Sequence, residues 1–369
     1  MFRDRAATKK HLMSFPERIH IVAYEALQHV VRGLGSTHHY EGCVPDEVTF
    51  LANKMTMTFR AARHLAWKLG VERLIELTGS PMADDYEELF GQLYLIDEGA
   101  RLGPTLKEWR RRWCMPDKMN AKTGRIYTWT VRPEAIFLLE NRLAEVALTT
   151  DHDIGVPLVE TDHFHELNGR ARELYDKLRK DLFYELEGGA DITVGSAATL
   201  FTKLLQAARG AVYDDDKVVR KIDDGRLDLL EEIVQQADGN VLLGYQYKPD
   251  FERIKQRFKF AVEARDAGAV EKFRDGKLKL LCAHPASMSY GVDGLQGGGH
   301  HIVWFGATPV RKHYDQLNKR LHRDGTMADT VFAHRLMARG TIEEDIFFDV
   351  LPGKKKLQDA TRDACRVKR

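Results

Sequence analysis

The sequence of 369 residues has no excess of charge of either sign, since 56 Lys and Arg residues stand against 55 Asp and Glu residues. Net charge therefore does not indicate a nucleic-acid partner, and any basic surface must be local. No apolar run approaches the roughly 18 residues of a membrane-spanning helix. The basic N-terminus also lacks the apolar core of a secretory signal. These absences predict a cytoplasmic protein with no membrane partner.

Cysteine is scarce, and no two cysteines form a C-x-x-C pair. The four are Cys43, Cys114, Cys282 and Cys365. This spacing predicts a reduced, intracellular protein without a structural zinc site. The histidines of 151–165, namely His152, His163 and His165, have no partner cluster at ligand spacing, so the sequence does not favour a metal site there.

The chain is long enough for two domains, and its 43% hydrophobic and 30% charged residues are typical of a globular protein. From residue 241 onward, apolar strands alternate with amphipathic helices. Strands are predicted at 241–245, 278–281, 302–305 and 330–336, and helices at 251–260, 314–323 and 342–351. This alternation predicts an α/β fold with a parallel sheet. Further strands are predicted at 20–24 and 71–77, and the tail 353–369 is expected to fray.

Two polar motifs in the first third are candidates for chemistry. Asp46 and Glu47 are adjacent carboxylates, which can divide the tasks of holding a metal ion and orienting or deprotonating a water. Thr78 and Ser80 belong to a T-G-S-P turn directly after the predicted strand 71–77, at the end of a strand where α/β sheets bind ligands. The alternative for each motif is an ordinary solvated pair and an ordinary turn.

A second candidate region begins at 284 with a hydroxyl-rich turn and a Gly-rich segment. It ends in the pattern Gln316, Arg320 and Arg323, whose spacing would place all three side chains along one face of a helix. Two guanidiniums on one face suit a polyanion, because each offers planar, bidentate donors. The alternative is a solvated helix face.

Aromatic residues are frequent in the helical stretch 84–115. Core packing is the first interpretation of this stripe. The segment 107–113, K-E-W-R-R-R-W, mixes Trp with Arg and could instead contact a nucleic-acid strand.

Taken together and in order, these motifs resemble a superfamily-two helicase of the Swi/Snf-like type, especially its compact bacteriophage forms. Asp46-Glu47 resembles the Walker B motif, and Thr78 to Pro81 resembles the T-G-[ST]-P motif that couples hydrolysis to strand movement. The segment 241–248 resembles the first strand of the second lobe, and 203–213 resembles the linker of the phage group. The segment 284–296 resembles the motif that contacts nucleic acid and nucleotide, and 316–325 resembles the arginine-finger motif Q-x-x-x-R-x-x-R-x-G.

The resemblance implies two RecA-like parallel-sheet lobes with a helical insertion and linker between them. The implied division is a partial first lobe at 1–115, the insertion and linker at 116–222, the second lobe at 223–352 and a basic tail at 353–369. ATP would bind between the lobes, with Mg²⁺ held by Asp46 and the attacking water positioned by Glu47. Arg320 and Arg323, with Gln316, would act on the γ-phosphate.

The resemblance assigns further residues to binding. Gly291, Asp293 and Gln296 would contact the nucleotide, while Thr78, Ser80, Ser287 and Lys203 would contact nucleic acid or couple it to hydrolysis. The implied partner is duplex or forked DNA.

One motif of the family is missing, because no G-x-x-x-x-G-K-[ST] phosphate loop occurs in the sequence. Without its backbone N–H groups and Lys, ATP should bind weakly or not at all. The family places a central strand beside that loop, so the first lobe should be left with unpaired edges unless another, upstream-encoded polypeptide complements it. Thr326 also stands where the arginine motif often has Gln.

Two functions of different class remain. The first is an ATP-dependent DNA helicase or translocase, or the larger part of a split one. The second is a degenerate, non-hydrolysing DNA-binding or assembly protein that keeps the helicase fold.

Overall fold

The computed structural model describes residues 19–34, 40–79, 81–82, 84–119, 126–150, 154–186, 194–214, 216–289 and 294–365. Contacts divide the chain into two compact units. The first unit is Met1–Thr150 with Lys356–Arg369, and the second is Asp151–Lys355. The boundary near residue 150 falls inside the segment predicted as insertion and linker, whose finer division stays a prediction. No described helix is both long and apolar enough to cross a membrane.

The first unit is mainly helical. Its helices are α1 Tyr24–Gly33, α2 Met57–Arg63 (continued by a π-turn, His64–Lys68), α3 Glu87–Asp97, α4 Leu106–Trp113 and α5 Pro133–Ala144. Its strands are β1 Gly42–Cys43, β2 Arg73–Leu74, β3 Cys114–Met119 and β4 Ile126–Val131. β1 and β2 are parallel, whereas β3 and β4 form an antiparallel hairpin.

The aromatic stripe of 84–115 forms the main core of this unit. Trp109 and Trp113 are buried with Phe90 and Leu139, and the Trp113 indole N–H donates to the Leu102 carbonyl at 3.0 Å. Buried rings cannot stack on bases, so the nucleic-acid interpretation of the two tryptophans is wrong and core packing is confirmed. The intervening arginines are on the surface, where Arg110 pairs with Glu87 at 3.0 Å.

The parallel pair β1–β2 has one uncovered apolar face. Hydrogen bonds from the Ile75 N–H to the Cys43 carbonyl and from the Leu77 N–H to the Pro45 carbonyl continue the pairing beyond β2. Side chains alternate between the two faces of a strand, so Val44, Ile75 and Leu77 lie on the same face of this strand pair. They are 57%, 56% and 46% exposed. We call these three residues the apolar face of the first unit.

The segment 20–24, predicted as a strand, is not one. Residues 19–23 belong to no helix or strand, and Tyr24 begins α1. Among the described residues no strand pairs with this segment, and Ile21 is almost fully exposed. An apolar pattern without a partner strand does not make a ladder.

The second unit is built on a six-stranded parallel sheet. The strands of this unit, inside and outside the sheet, are β5 Leu158–His165, β6 Ala211–Tyr213, β7 Val219–Lys221, β8 Asn240–Gly244, β9 Val262–Glu263, β10 Leu280–Ala283, β11 Gly299–Trp304 and β12 Val331–Ala338. The sheet order is β5-β12-β11-β8-β10-β9, and β6 and β7 form a separate hairpin. The α/β class and the parallel sheet predicted from the sequence are confirmed.

Helices and irregular turns connect these strands. The helices are α6 Gly169–Leu186, α7 Val194–Ala208, α8 Gly225–Gln236, α9 Lys248–Arg257, α10 Ala269–Arg274, α11 Arg311–Asn318 and α12 Ile342–Asp345. A π-turn at Ile346–Val350 leads from α12 into the last helix of the chain, α13 Leu351–Ala364. The expected fraying of 353–369 is therefore wrong as far as residue 364.

Burial on both faces explains the apolar sequences of the central strands. Val241, Leu242 and Leu243 of β8 are fully buried, with one set of contacts on each side of the sheet. This is the pattern that helices on both faces of a parallel sheet produce. β5, which pairs with β12 at the sheet edge, escaped prediction because its sequence, LVETDHFH, is mostly polar.

Candidate functional site

The Asp46–Glu47 pair lies in a turn directly after β1. Glu47 has a left-handed backbone, φ 52° and ψ 51°, which few residues other than Gly adopt. The Glu47 N–H donates to Asp46 Oδ1 at 3.0 Å, and the Tyr24 hydroxyl donates to the Asp46 carbonyl at 2.8 Å. The Asp46 side chain is exposed and Glu47 is half-buried. Backbone strain at Glu47, next to the exposed Asp46 carboxylate, is the kind of arrangement found at functional sites.

The same turn is tied to the segment that carries Thr78. The Val48 N–H donates to the Leu77 carbonyl at 3.0 Å, and the Leu77 N–H donates to the Pro45 carbonyl at 2.9 Å. The structure thus brings the Asp46–Glu47 turn and Thr78 together at the carboxyl ends of two parallel strands. Ser80 lies outside the described residues.

Sequence reasoning missed Glu76, which lies on the covered face of the same strand pair. One of its carboxylate oxygens, Oε1, is buried without a hydrogen-bond partner among the described residues. Burial raises the pKa of Glu76 to about 8, so this carboxyl is mostly protonated at pH 7. Burial, together with the charges of Asp46, Cys43 and Glu76, raises the pKa of Tyr24. The sequence signal that could have identified Glu76 is its position inside the otherwise apolar run 74–77.

The arginine motif adopts a different backbone from the one predicted. Helix α11 ends at Asn318, so Gln316 is helical but Arg320 and Arg323 are not, and the expectation of one helical face is wrong. The Asn318 side chain is buried and accepts the Trp304 indole N–H at 2.9 Å.

A tight turn follows and fixes the two arginines. The Thr326 hydroxyl donates to the Arg323 carbonyl at 2.7 Å, and the Leu321 carbonyl lies within reach of the same hydroxyl. Gly325 has φ 81°, which L side chains rarely adopt. Thr326, which looked like a departure from the motif, therefore closes the turn that presents Arg320 and Arg323, both half-buried.

Gln296 lies next to this turn. It is in a 3₁₀ turn, Leu295–Gly297, and its side-chain nitrogen would lie 3.7 Å from a Cβ placed on Gly325. Its Oε1 is buried without a hydrogen-bond partner in the described part of the chain. The structure thus brings Gln296 and the arginine turn together from separate motifs. Gly291 and Asp293 lie outside the described residues.

The remaining predicted residues are dispersed over the second unit. The Ser287 hydroxyl is exposed and donates to the His284 carbonyl at 2.7 Å, closing a local turn. Lys203 is on α7, where it lines an open groove of about 340 Å³ with Thr199, Thr202, Gln206 and Tyr213. The structure shows the positions of both residues and assigns no role to either.

A buried ion-pair network lies at the carboxyl ends of β11 and β12, and sequence reasoning missed it. Glu343 is fully buried and accepts the Ala307 and Ala338 backbone N–H groups at 3.1 and 3.2 Å. The Arg226 guanidinium donates to both Glu343 oxygens, and Arg209 Nε lies 3.6 Å from Glu343 Oε1. Burial alone would raise the pKa of Glu343, but the charges of the two arginines outweigh it and lower that pKa.

Comparisons with known proteins were made at the levels of sequence and structure. No family model matches the chain. Putative protein p41 of Acyrthosiphon pisum secondary endosymbiont phage 1 is 31% identical over 366 residues, which cover 94% of this chain and 77% of p41. A lipase chaperone of Burkholderia lata is 30% identical over 129 residues, 35% of each chain.

Two solved structures align with the fold at low scores. The C-terminal part of the Fun30 ATPase domain gives a TM-score of 0.40 at 14% identity, over 56% of this chain and 97% of that chain. The SWI2/SNF2 ATPase core of Sulfolobus solfataricus, in complex with dsDNA, gives 0.39 at 17% identity, over 93% and 72%.

Proposed function

The chain belongs to the family of putative protein p41 of Acyrthosiphon pisum secondary endosymbiont phage 1, and from this premise we propose that it is a Swi/Snf-like ATP-dependent DNA helicase or translocase, or the larger part of a split one. The observation that carries the proposal is the meeting of the Asp46–Glu47 turn with the Thr78 strand end. Two motifs more than thirty residues apart are joined there by backbone hydrogen bonds.

The carboxylates of this turn fit a hard divalent cation. Asp46 is exposed and offers the oxygen ligands that Mg²⁺ prefers, so it would hold that ion. Mg²⁺, when bound, would neutralise charge on the nucleotide phosphates. Glu47, fixed by its left-handed backbone, would orient the attacking water and accept its proton. Arg320 and Arg323 would stabilise the negative charge that develops on the transferred phosphoryl group.

The missing phosphate loop makes a complementing polypeptide part of this proposal. The apolar face formed by Val44, Ile75 and Leu77 supports it, because parallel strands are ordinarily covered on both faces. A segment that carries a strand, a G-K-[ST] loop and the helix that follows such a loop would cover this face and supply phosphate donors. The chain alone would then bind DNA but turn ATP over slowly or not at all.

The test is DNA-stimulated ATP hydrolysis, measured with and without the product of the reading frame immediately upstream. We expect activity with that product and a loss on the order of 10³-fold in Arg320→Ala and Arg323→Ala. Glu47→Gln should also abolish turnover, whereas Glu41→Gln, on an exposed residue just before β1, should not. DNA binding without hydrolysis in every combination would establish the second function, a non-hydrolysing DNA-binding protein, which the absent loop favours.

A further inference from the structure

A cluster of histidines lies at the amino-terminal edge of the second unit's sheet, where β8 and β11 begin. Asp238 is in the turn between α8 and β8, and His300 and His301 are at the start of β11. Both imidazole Nε2 atoms contact the same carboxylate oxygen, Asp238 Oδ1, at 2.8 and 2.7 Å. Within the described chain, these three residues bring their possible ligand atoms within 4.8 Å of one another.

A β-bulge makes this convergence possible. Consecutive residues of a regular strand point to opposite faces, so His300 and His301 would ordinarily diverge. Gly299 pairs with Asn240 and His301 pairs with Val241, which leaves His300 as the extra residue of the bulge. A bulge re-aims a side chain, and the two rings here have centroids 4.5 Å apart.

The neighbouring turn is shaped to admit the His300 ring. A Cβ on Gly239 would lie 3.3 Å from the ring carbon Cε1, so a larger residue would crowd the imidazole. Local backbone on both strands therefore favours the paired orientation of the two rings.

Two further imidazoles continue the cluster across the sheet. His301 Nδ1 lies 3.1 Å from His334 Nε2 on β12, and His334 Nδ1 lies 3.0 Å from His163 Nε2 on β5. In a row of neutral rings every proton must point the same way, towards Asp238 or away from it.

The direction away from Asp238 leaves His301 Nε2 without a proton and ready to bind a cation. His301 Nδ1–H then donates to His334, and His334 Nδ1–H donates to His163. A metal-binding imidazole commonly has such a hydrogen-bond partner on its other nitrogen, which fixes its tautomer and ring orientation.

We propose that Asp238, His300 and His301 bind a divalent transition-metal ion of the Zn²⁺ class, with His334 as the positioning residue for His301. Two imidazoles and one carboxylate form the donor set of zinc sites that keep an open coordination position, whereas Mg²⁺ prefers oxygen ligands alone. A tetrahedral ion with ligands at about 2.0–2.1 Å holds its ligand atoms roughly 3.3 Å apart. The Asp238 side chain is 77% exposed and can move outward by the few tenths of an ångström that this spacing needs.

The test uses the full-length chain, purified with chelator and titrated with Zn²⁺ alone in a calorimeter. We expect one strong site per chain. Asp238→Asn and His300→Gln should each weaken it by at least about tenfold, and His334→Gln should weaken it about 10–100-fold as the loss of an orienting partner. His29→Gln, which changes an exposed histidine of the first unit, should leave the affinity unchanged.

Co²⁺ gives an independent readout, because a tetrahedral site with imidazole ligands produces visible absorption bands. These bands should appear on the wild-type protein and be absent from Asp238→Asn. Since Asp238 is exposed, that variant should keep its far-ultraviolet circular dichroism, and it decides the matter even if a histidine variant does not fold. Absence of Zn²⁺ binding in the wild type, or equal binding in a folded Asp238→Asn, would overturn the proposal.

Discussion

The two parallel ladders of this protein differ in what covers them. In the second unit, Val241, Leu242 and Leu243 of β8 are fully buried, with neighbours on both faces of the sheet. In the first unit, Ile75 and Leu77 extend an equally parallel pairing but remain about half exposed. The difference shows that similar apolar strand sequences occur in a sheet covered on both faces and in a strand pair with one exposed face. The pattern of apolar residues in a strand therefore does not reveal whether both of its faces are buried.

The buried glutamates of the two units show the same contrast in electrostatic form. Glu343 has two arginines and two backbone donors, and its pKa is lowered despite burial. Glu76 has a buried oxygen with no partner in the described chain, and burial raises its pKa to about 8. A buried carboxylate that has cations and N–H donors around it stays ionised, whereas a buried carboxyl without them takes up a proton.

The largest expected effect comes from breaking the site around Glu343. Glu343→Gln leaves the Arg226 guanidinium buried without its carboxylate partner, which should cost about 3–5 kcal/mol of the free energy of unfolding. Denaturant unfolding of the full chain, followed by circular dichroism, measures this loss. Asp345→Asn, two residues on and exposed, is the matched control and should change little. A loss below about 1 kcal/mol for Glu343→Gln would contradict a stabilising role for the network.

The pH dependence of the same site has a defined sign. Since the folded pKa of Glu343 is lowered, its contribution is present above the unfolded value near 4.5 and is lost as pH falls through the folded value. Acid titration of wild-type stability should therefore show a loss below about pH 4.5 that Glu343→Gln lacks. Equal acid sensitivity in the two proteins would count against the assigned ion pair.

An effect of opposite sign is expected at Glu76. Its folded carboxyl holds a proton more tightly than the unfolded one, so the first unit should lose stability as pH rises from about 4.5 to about 8. Glu76→Gln should remove this slope and be more stable than wild type above pH 8. Thermal unfolding at several pH values tests it, with the exposed Glu72→Gln as control. A wild-type stability that does not fall over this range would show that Glu76 is paired in solution.

The smallest effect on stability is expected at the apolar face. Ile75→Thr with Leu77→Thr should change the free energy of unfolding by less than about 0.5 kcal/mol per residue, because both side chains are already exposed. The same double variant should lose binding to the upstream polypeptide in a co-purification assay. Leu138→Gln, on an exposed leucine of α5, should retain that binding. Full binding by the double variant would exclude this face as the docking surface.

The α/β class and the central strands could be predicted because buried parallel strands carry unbroken apolar runs. The edge strand β5 could not, because only one side of it pairs and its sequence, LVETDHFH, alternates without a strong apolar face. Helix α11 ends at Asn318, whose buried side chain accepts the Trp304 indole N–H, and no local propensity encodes that contact.

The candidate site was predictable only where a motif is contiguous in sequence. Asp46, Glu47 and Thr78 were predicted from their motifs, and backbone hydrogen bonds hold the turn of Asp46 and Glu47 beside the strand end that carries Thr78. Glu76 and Glu343 were missed because their character depends on tertiary surroundings, on burial in one case and on two distant arginines in the other. The roles proposed for Arg320 and Arg323 stay predictions that the ATPase experiment will test.

The pairing of β5 with β12 has a consequence for synthesis of the chain. Arg335 on β12 bonds Asp162 on β5 across 173 residues of sequence. At a translation rate of about 5–20 residues per second, roughly 10 to 35 s separate the emergence of the two strands from a ribosome. During that interval β5 lacks the strand with which it pairs. The nascent second unit should therefore depend on chaperones until β12 emerges.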